Sequence, residues 1–317
     1  KRGGLTFVGS KRYAKANNKE MGILYDKTKE SSYITYVAAN NLYGWAMIQH
    51  LPYKNIKFNT TITLNQILET PDDAQIGYLV EADLEFPNEL HELFKEFPPC
   101  PETLTPNIEW MSNYQKELME KTGSKTNNDK LTPHLMKHDN YVLHYRNLKF
   151  INSLGVKITM KRVVEFKQSN WMSEYINENN KLRTQAKQEG NEFLVSLFKL
   201  LNNSVFGKTC EDVRNRENMH LTTDPKNAIK WFSKLEFKHA NYVDGLYLIQ
   251  THKTQIVYDK PMYVGCCILD LSKVRMLDFH YNTMEKHHKY KYNLIYSDTD
   301  SLVYHVKHEN LHQWMKD

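Results

Sequence analysis

Two short stretches of this chain hold residue types that can do chemistry together. The first, NLIYSDTDSLVYHV, runs from Asn293 to Val306 and sets Asp298 and Asp300 two residues apart in a polar turn. Like charges that close repel, so the turn needs solvent or a cation. Magnesium takes hard oxygen ligands, usually one or two carboxylates plus substrate phosphates. A plainer account is that Asp and Ser simply favour turns. An EF-hand loop is excluded, because Val303 stands where the turn glycine belongs and the bidentate Glu is absent. The second stretch, KLLNNSVFG, spans Lys199 to Gly207. On a helix, Lys199, Asn203 and Phe206 share one face. A lysine offers a point charge to a phosphate, while Asn and an aromatic can contact a base and a sugar. Upstream, Arg183 and Lys187 are four apart and form a candidate second phosphate clamp; alone they read as a solvated basic face. Lys199, embedded in FLVSLFKLLNNSVFG, is expected to be a charge with a task.

These residues need a rigid frame. Around the aspartates, Leu294 and Tyr296 before the turn, and Leu302, Tyr304 and Val306 after it, keep period two, which predicts a hairpin burying one face. Tyr33 to Val37 and Ile76 to Phe86 read as strands, as does 156–166. Residues 98–133 are a Pro-rich polar excursion with a short helix near Trp110 to Met119. Residues 141–155 read as a helix ended by Gly155. The pattern from Asn170 to Phe206 is helical, interrupted near Gly190, and 267–288 is helical again, with Ile268, Leu271, Val274 and Leu277 on one stripe. Residues 208–262 mix short strands and loops. The order predicts an α+β fold with an antiparallel sheet. The five tryptophans, Trp45, Trp110, Trp171, Trp231 and Trp314, read as core or partly buried residues. In HHKYKYN (287–293) the basic and aromatic residues suit a DNA channel or an exposed linker, with His287 and His288 solvated.

The bounds are those of a globular protein of 317 residues, 40% hydrophobic and 25% charged. Net charge +5 and pI about 8.7 permit nucleic acid as a partner without requiring it. No apolar run approaches the ~18 residues of a membrane span, and no signal peptide is visible. Cys100, Cys210, Cys266 and Cys267 lack metal-ligand spacing and suit an intracellular, reducing compartment. The chain opens on Lys and reads as a fragment of something longer.

Together the two stretches resemble the family B DNA polymerases. YSDTDS (296–301) matches that family's motif C, Tyr-x-Asp-Thr-Asp-Ser, in full. KLLNNSVFG matches motif B, Lys-x-x-x-Asn-Ser-x-Tyr-Gly, with Phe206 for Tyr. AANNLYG (38–44) matches motif A, Asp-x-x-Ser-Leu-Tyr-Pro, with Ala38 for Asp, Asn41 for Ser and Gly44 for Pro. The order and spacing agree, and the wording of NNLYGWAM and NNSVFGKT is similar to the protein-primed branch of viruses and Polinton/Maverick-type mobile elements. The resemblance implies an antiparallel palm sheet with helices on one face and a helical fingers hairpin. Residues 1–97 would be palm with motif A, 98–165 an insertion and palm connection contacting a terminal protein, and 166–210 the fingers with motif B. Residues 211–262 would be a second insertion and 263–317 palm with motif C. Partners would be template-primer DNA, dNTPs and a terminal protein primer.

The resemblance also implies roles. Two magnesium ions, or manganese in their place, would run phosphoryl transfer. Asp300 would ligate metal directly, with Asp298 beside it and Ala39 giving a backbone carbonyl. Tyr43 would sit under the sugar and exclude a 2′-hydroxyl. Lys199, Arg183 and Lys187 would contact the triphosphate, and Asn203 and Phe206 the incoming nucleotide. Tyr296, Gly207 and Thr299 would contact DNA. Ala38 stands where the second bridging carboxylate belongs, and a methyl group cannot ligate a metal. Losing a group that acts mainly in the transition state costs ~2.7–4 kcal/mol, two to three decades in rate. An inactivating substitution, decay of a mobile-element copy and a shifted ligand would each explain it. Asp83 and Glu85 are placed to supply the carboxylate if their strand adjoins the hairpin. DLE (83–85) also mimics a proofreading exonuclease motif, but it follows motif A instead of preceding it. Exonuclease and thumb are expected to be absent here. The rival reading is an inactive nucleic-acid- or nucleotide-binding remnant. A reverse transcriptase is disfavoured, because that palm uses adjacent aspartates.

Overall fold

The computed structural model describes residues 2–9, 13–124, 128–288 and 291–316. Along the chain, β1 (Thr6–Val8) and β2 (Ser32–Ala38) lead into α1 (Leu42–Met47), entered through Asn41 at φ 52°. Then come β3 (Leu51–Asn59), α2 (Leu64–Glu69), β4 (Ile76–Glu85) and α3 (His91–Phe94). The excursion holds β5 (Glu102–Leu104), α4 (Asn113–Thr122) and β6 (Lys130–Thr132). Ser112 and Gln115 cap α4 reciprocally and Gly123, at φ 63°, ends it. β7 (His138–His144), α5 (Tyr145–Ser153) and β8 (Lys157–Ser169) follow. The helical hairpin is α6 (Ser173–Gln188) and α7 (Glu192–Thr209), broken at Gly190, whose φ of 70° suits a residue without Cβ. Next are β9 (Glu217–Thr222), α8 (Pro225–Phe232), β10 (Phe237–Val243) and β11 (Leu246–His252). The chain finishes with α9 (Met262–Asp278), a π-helical turn over Phe279–Glu285, α10 (Lys286–His288), β12 (Tyr292–Asp298), β13 (Ser301–Lys307) and α11 (Leu311–Trp314).

The chain divides into two compact units, Lys1–Asn203 with Cys266–Asp317, and Ser204–Gly265. The larger unit holds antiparallel sheets ordered β1-β12-β13-β2 and β3-β8-β4-β7, plus the β5-β6 pair. One core joins them. Val80, Ala82 and Leu84 of β4 meet Leu148 and Ile151 of α5, Leu277 of α9, and Leu294, Leu302, Tyr304 and Val306 of the β12–β13 hairpin. The smaller unit is the sheet β10-β11-β9 with Ala228 of α8 and Ile249 of β11 buried. The fold is α+β with antiparallel sheets, as the order of elements predicts.

Four expectations need correction. Residues 141–144 are strand, not helix: Tyr141 and Leu143 are buried at period two, and only at Tyr145 does helix begin, capped by the His144 side chain. Tyr296 does not share the core face with Leu294. A bulge slips the register, so that Leu294 faces Tyr304 while Tyr296 already faces Val303, and Ser297 turns inward instead. Trp110 and Trp171 are exposed, 51% and 48%, on the segments that precede α4 and α6. His288 is buried beside Trp314, ring centroids 4.2 Å apart, and Tyr292 is a core residue whose hydroxyl donates to Glu285 Oε2 at 2.8 Å. The basic-aromatic stretch therefore does not line a channel with these residues; Lys289 and Tyr290 lie outside the described residues.

An asparagine network fixes the helical hairpin to the end of β2. Asn180 Oδ1 of α6 accepts from Asn41 Nδ2 and from Asn202 Nδ2 of α7, each at 3.0 Å, and Asn179 Nδ2 donates to Asn202 Oδ1 at 2.9 Å. Asn179 and Asn202 are buried, so each amide depends on the others. Asn202→Ala strands these partners and is expected to cost about 1–3 kcal/mol in chemical denaturation, whereas the exposed neighbour Asn203→Ala stays within about 0.5 kcal/mol.

Burial also sets a pH limit. It lowers His144 and His280 to about 3, from an ordinary 6.5. As pH falls below 6.5 the unfolded imidazoles take up protons that the folded ones refuse until about pH 3, so stability drops across that window. From pH 7 to 5 the two cost on the order of 4 kcal/mol. Asp270, raised by burial, protonates early in the folded state and offsets part of this. The thermal midpoint should fall steadily from pH 7 to 5; a flat profile would contradict these burials.

Candidate active site

The hairpin β12–β13 and strand β2 meet at one edge of the first sheet. Asp298 pairs with Ser301 across the hairpin, and Ser301 pairs with Ala38 on β2. Directly paired residues project to the same side of a sheet, so Asp298, Ser301 and Ala38 form one row. Thr6, opposite Asp298 on β1, extends it. This row lies on the face away from the core, where Ala38 and Asp298 are exposed. The backbone N–H of Ala39 donates to the carbonyl of Asp300 at 2.8 Å, locking motif A to the turn of motif C. Position 38 and Asp298 are thus held by strand pairing, and Asp300 by its carbonyl, a rigid support for side chains at a site.

The turn itself is two residues, Thr299 and Asp300, with Thr299 in the left-handed region at φ 54°. Three contacts from the N-terminal segment hold it. Thr299 N–H donates to the Leu5 carbonyl at 2.9 Å. Thr6 Oγ1 donates to Asp298 Oδ1 at 2.8 Å. Gly4 passes so close to Thr299 that a Cβ would fall 2.2 Å from its hydroxyl oxygen. The bulge is pinned likewise, Gly9 N–H donating to the Ile295 carbonyl at 2.7 Å. Thr6, Gly4 and Gly9 were not legible as site residues, because their partners lie almost the whole chain away.

The other candidates fall into place unequally. Tyr43, on α1, lines a small cavity with Gly4, Ser297 and Thr299, so it does reach the motif C turn. Tyr296 is half-buried on the open face, opposite Val8 and Val303. Through Asn41–Asn180, helix α6 is tied to motif A. It carries Arg183, half-buried, and Lys187, exposed. On α7, Lys199 and Asn203 are exposed, as are the apolar Phe193 and Leu200. Lys199 is therefore not embedded in apolar surroundings, because α7 turns part of its apolar surface outward. Phe206, half-buried, and exposed Gly207 fall in the smaller unit.

Asp83 and Glu85 do not replace the missing carboxylate. β4 lies in the other sheet, between β8 and β7. Asp83 accepts from the Asn140 N–H at 2.9 Å and pairs with Lys161 Nζ at 2.8 Å, and the Lys161 hydrogen bond holds it below the usual carboxylate range. A different acid shares a cavity with position 38. A cavity of about 240 Å³ is lined by Ala38, Ala39, Leu302, Phe279, Arg275 and Asp278, among others. Asp278 there accepts from Asn282 Nδ2 at 2.6 Å and faces Arg275 at 3.8 Å. Arg275 also stacks over Trp45, 5.4 Å from its ring centre, joining α9 to α1.

The two exposed carboxylates on the rigid motif C turn are hard oxygen donors, which suit magnesium or manganese in kind.

No curated protein matches the chain. Among solved structures, Phi29 DNA polymerase in an orthorhombic crystal form is similar at TM-score 0.52 and 15% identity, over 100% of this chain and 43% of that one. The same polymerase complexed with primer-template DNA and incoming nucleotide substrates gives TM-score 0.49 and 15% identity, over 97% and 42%. The chain thus spans less than half of the polymerase it matches, and the likeness is one of fold. The family model for DNA polymerase type B, organellar and viral, matches residues 23–309. By that match, which runs through all three motifs, the chain belongs to the organellar and viral type B DNA polymerases.

Proposed function

We propose that this chain is the palm and fingers of a protein-primed polymerase, built for template-directed transfer of nucleotides from dNTPs to a primer 3′-hydroxyl or a terminal protein. In this reading 1–97 and 263–317 are palm, 166–210 fingers, and 98–165 and 211–262 the two insertions. The observation that carries it is the register of β13: it sets motif A and motif C side by side at an exposed sheet edge. The four cysteines, none of them in a disulfide, suit a reducing, intracellular setting.

Asp300, Asp298 and the Ala39 carbonyl would hold magnesium or manganese, which supplies charge stabilisation at the reacting phosphate. The primer hydroxyl would attack the α-phosphorus, so that one P–O bond forms as the bond from that phosphorus to the α–β bridging oxygen breaks; pyrophosphate leaves and the hydroxyl proton passes to solvent. Tyr43 would lie against the sugar and leave no room for a 2′-hydroxyl. Lys199, Arg183 and Lys187 would neutralise the triphosphate, and Asn203 and Phe206 would contact the nucleotide. Tyr296, Thr299 and Gly207 would face the DNA.

Ala38 favours a second reading, an inactive nucleotide- and nucleic-acid-binding remnant. Primer extension in magnesium and in manganese, with this chain beside Ala38→Asp, separates the two. The active reading expects the reversion to extend the primer about 100- to 1,000-fold faster, the loss that one transition-state group commonly causes. Equal rates would show that another residue supplies the ligand. If neither extends, the remnant reading stands, provided metal-dependent dNTP binding survives in this chain and disappears in Asp300→Asn.

A further inference from the structure

The excursion between the two halves of the second sheet presents a second group of ligand-type side chains, which draws on none of the hairpin's residues. Glu102 opens β5, His134 follows β6, and His138 opens β7. One carboxylate oxygen and one nitrogen of each histidine all lie within 4.8 Å of one another. His138 Nδ1 is 2.9 Å from Glu102 Oε2, and His134 Nε2 is 3.3 Å from that same oxygen. Donors bound tetrahedrally at ~2.0–2.2 Å sit about 3.3–3.5 Å apart, so these separations are close to those of a filled coordination shell. The two imidazoles stack, with centroids 4.3 Å apart and planes 14° from parallel.

We propose that Glu102, His134 and His138 form a zinc(II) site that ties the excursion to the sheet. Two observations argue against a mere ion pair. His138 Nδ1 is hydrogen-bonded to the carboxylate, His134 Nε2 stands 3.3 Å from the same oxygen, and Nε2 of the fully buried His138 has no hydrogen-bond partner. Two imidazoles converging on one carboxylate oxygen is the arrangement that ligands of a common ion adopt. The second observation is what the excursion lacks. Among the described residues from 102 to 137 none is buried, and α4 has no buried side chain. Among those residues only Leu131 and Leu135, both partly buried, pack against the main core, and a segment with so little apolar burial gains from another tie. The β5–β6 pairing, with Glu102 opposite Thr132, brings both ends of the segment to the site. His138 is fully buried on β7, opposite Leu84 of β4, and so fixes the site to the sheet.

Mixed imidazole and carboxylate donors select zinc over magnesium, which prefers oxygen alone. With three protein ligands, the fourth position falls to water, reached past Glu102, the most exposed of the three.

The test is metal content of the full chain after zinc loading and desalting, with hydrogen exchange of 102–137 in zinc and in chelator. The proposal expects about one zinc per chain, loss of at least tenfold in affinity in His134→Ala and in Glu102→Gln, and exchange in α4 at least tenfold slower with zinc. Cobalt(II) should give a visible ligand-field band that His134→Ala abolishes. Asp300→Asn should retain zinc in full, which keeps this result separate from the polymerase reading. Zinc below a tenth per chain, or zinc bound equally by the parent and both variants, would overturn the site. His134 and Glu102 are partly exposed, so their variants are expected to fold; circular dichroism of each checks this.

Discussion

The pairing of β13 with its two neighbours is the constraint on which the rest of the site depends. β13 sits between β12 and β2, and its register sets Ser301 opposite both Asp298 and Ala38. A slip of one residue would turn every side chain of the strand to the other face. Leu302, Tyr304 and Val306 would then leave the core, in which they are fully buried. The hydrophobic core thus enforces the chemistry: the same alternation that buries three apolar residues holds position 38 and the motif C turn at one edge.

The site is also held from three other directions, each by a different interaction. The N-terminal segment clasps the turn through Leu5, Thr6 and Gly4. Helix α9 supports α1 through Arg275 on Trp45. The asparagines of α6 and α7 reach Asn41. Asp298 and Asp300 remain exposed in this frame, and like charges so placed need solvent or a cation. Ala38, in the same row as Asp298, carries no charge and so spares the chain a further like charge beside these two.

Much of this was legible in the sequence. Period-two alternation gave the hairpin, Gly190 gave the break between α6 and α7, and the three ordered motifs gave the family. The misses have physical causes. A bulge after Leu294 breaks the period that placed Tyr296 with the core, and a bulge has no signature in alternation alone. Tyr141 to His144 are consistent with either period over so short a run. Asn202, which is buried and bonded, looks no different in sequence from Asn203, which is exposed. Asp83 seemed able to reach the site, because sheet membership is a long-range property. The spacing of His134 and His138 was open to view, but Glu102, some thirty residues earlier, joins them only through the β5–β6 pairing.

The most direct measurement is a double-mutant cycle on manganese affinity, by electron paramagnetic resonance with a dNTP present. The four proteins are this chain, Ala38→Asp, Asp300→Asn and the double variant. If strand pairing brings position 38 and Asp300 to one ion, Ala38→Asp should tighten manganese at least tenfold, and Asp300→Asn should erase most of that gain. A gain that persists unchanged without Asp300 would mean that the two positions do not share a metal, and the account of the site would be wrong.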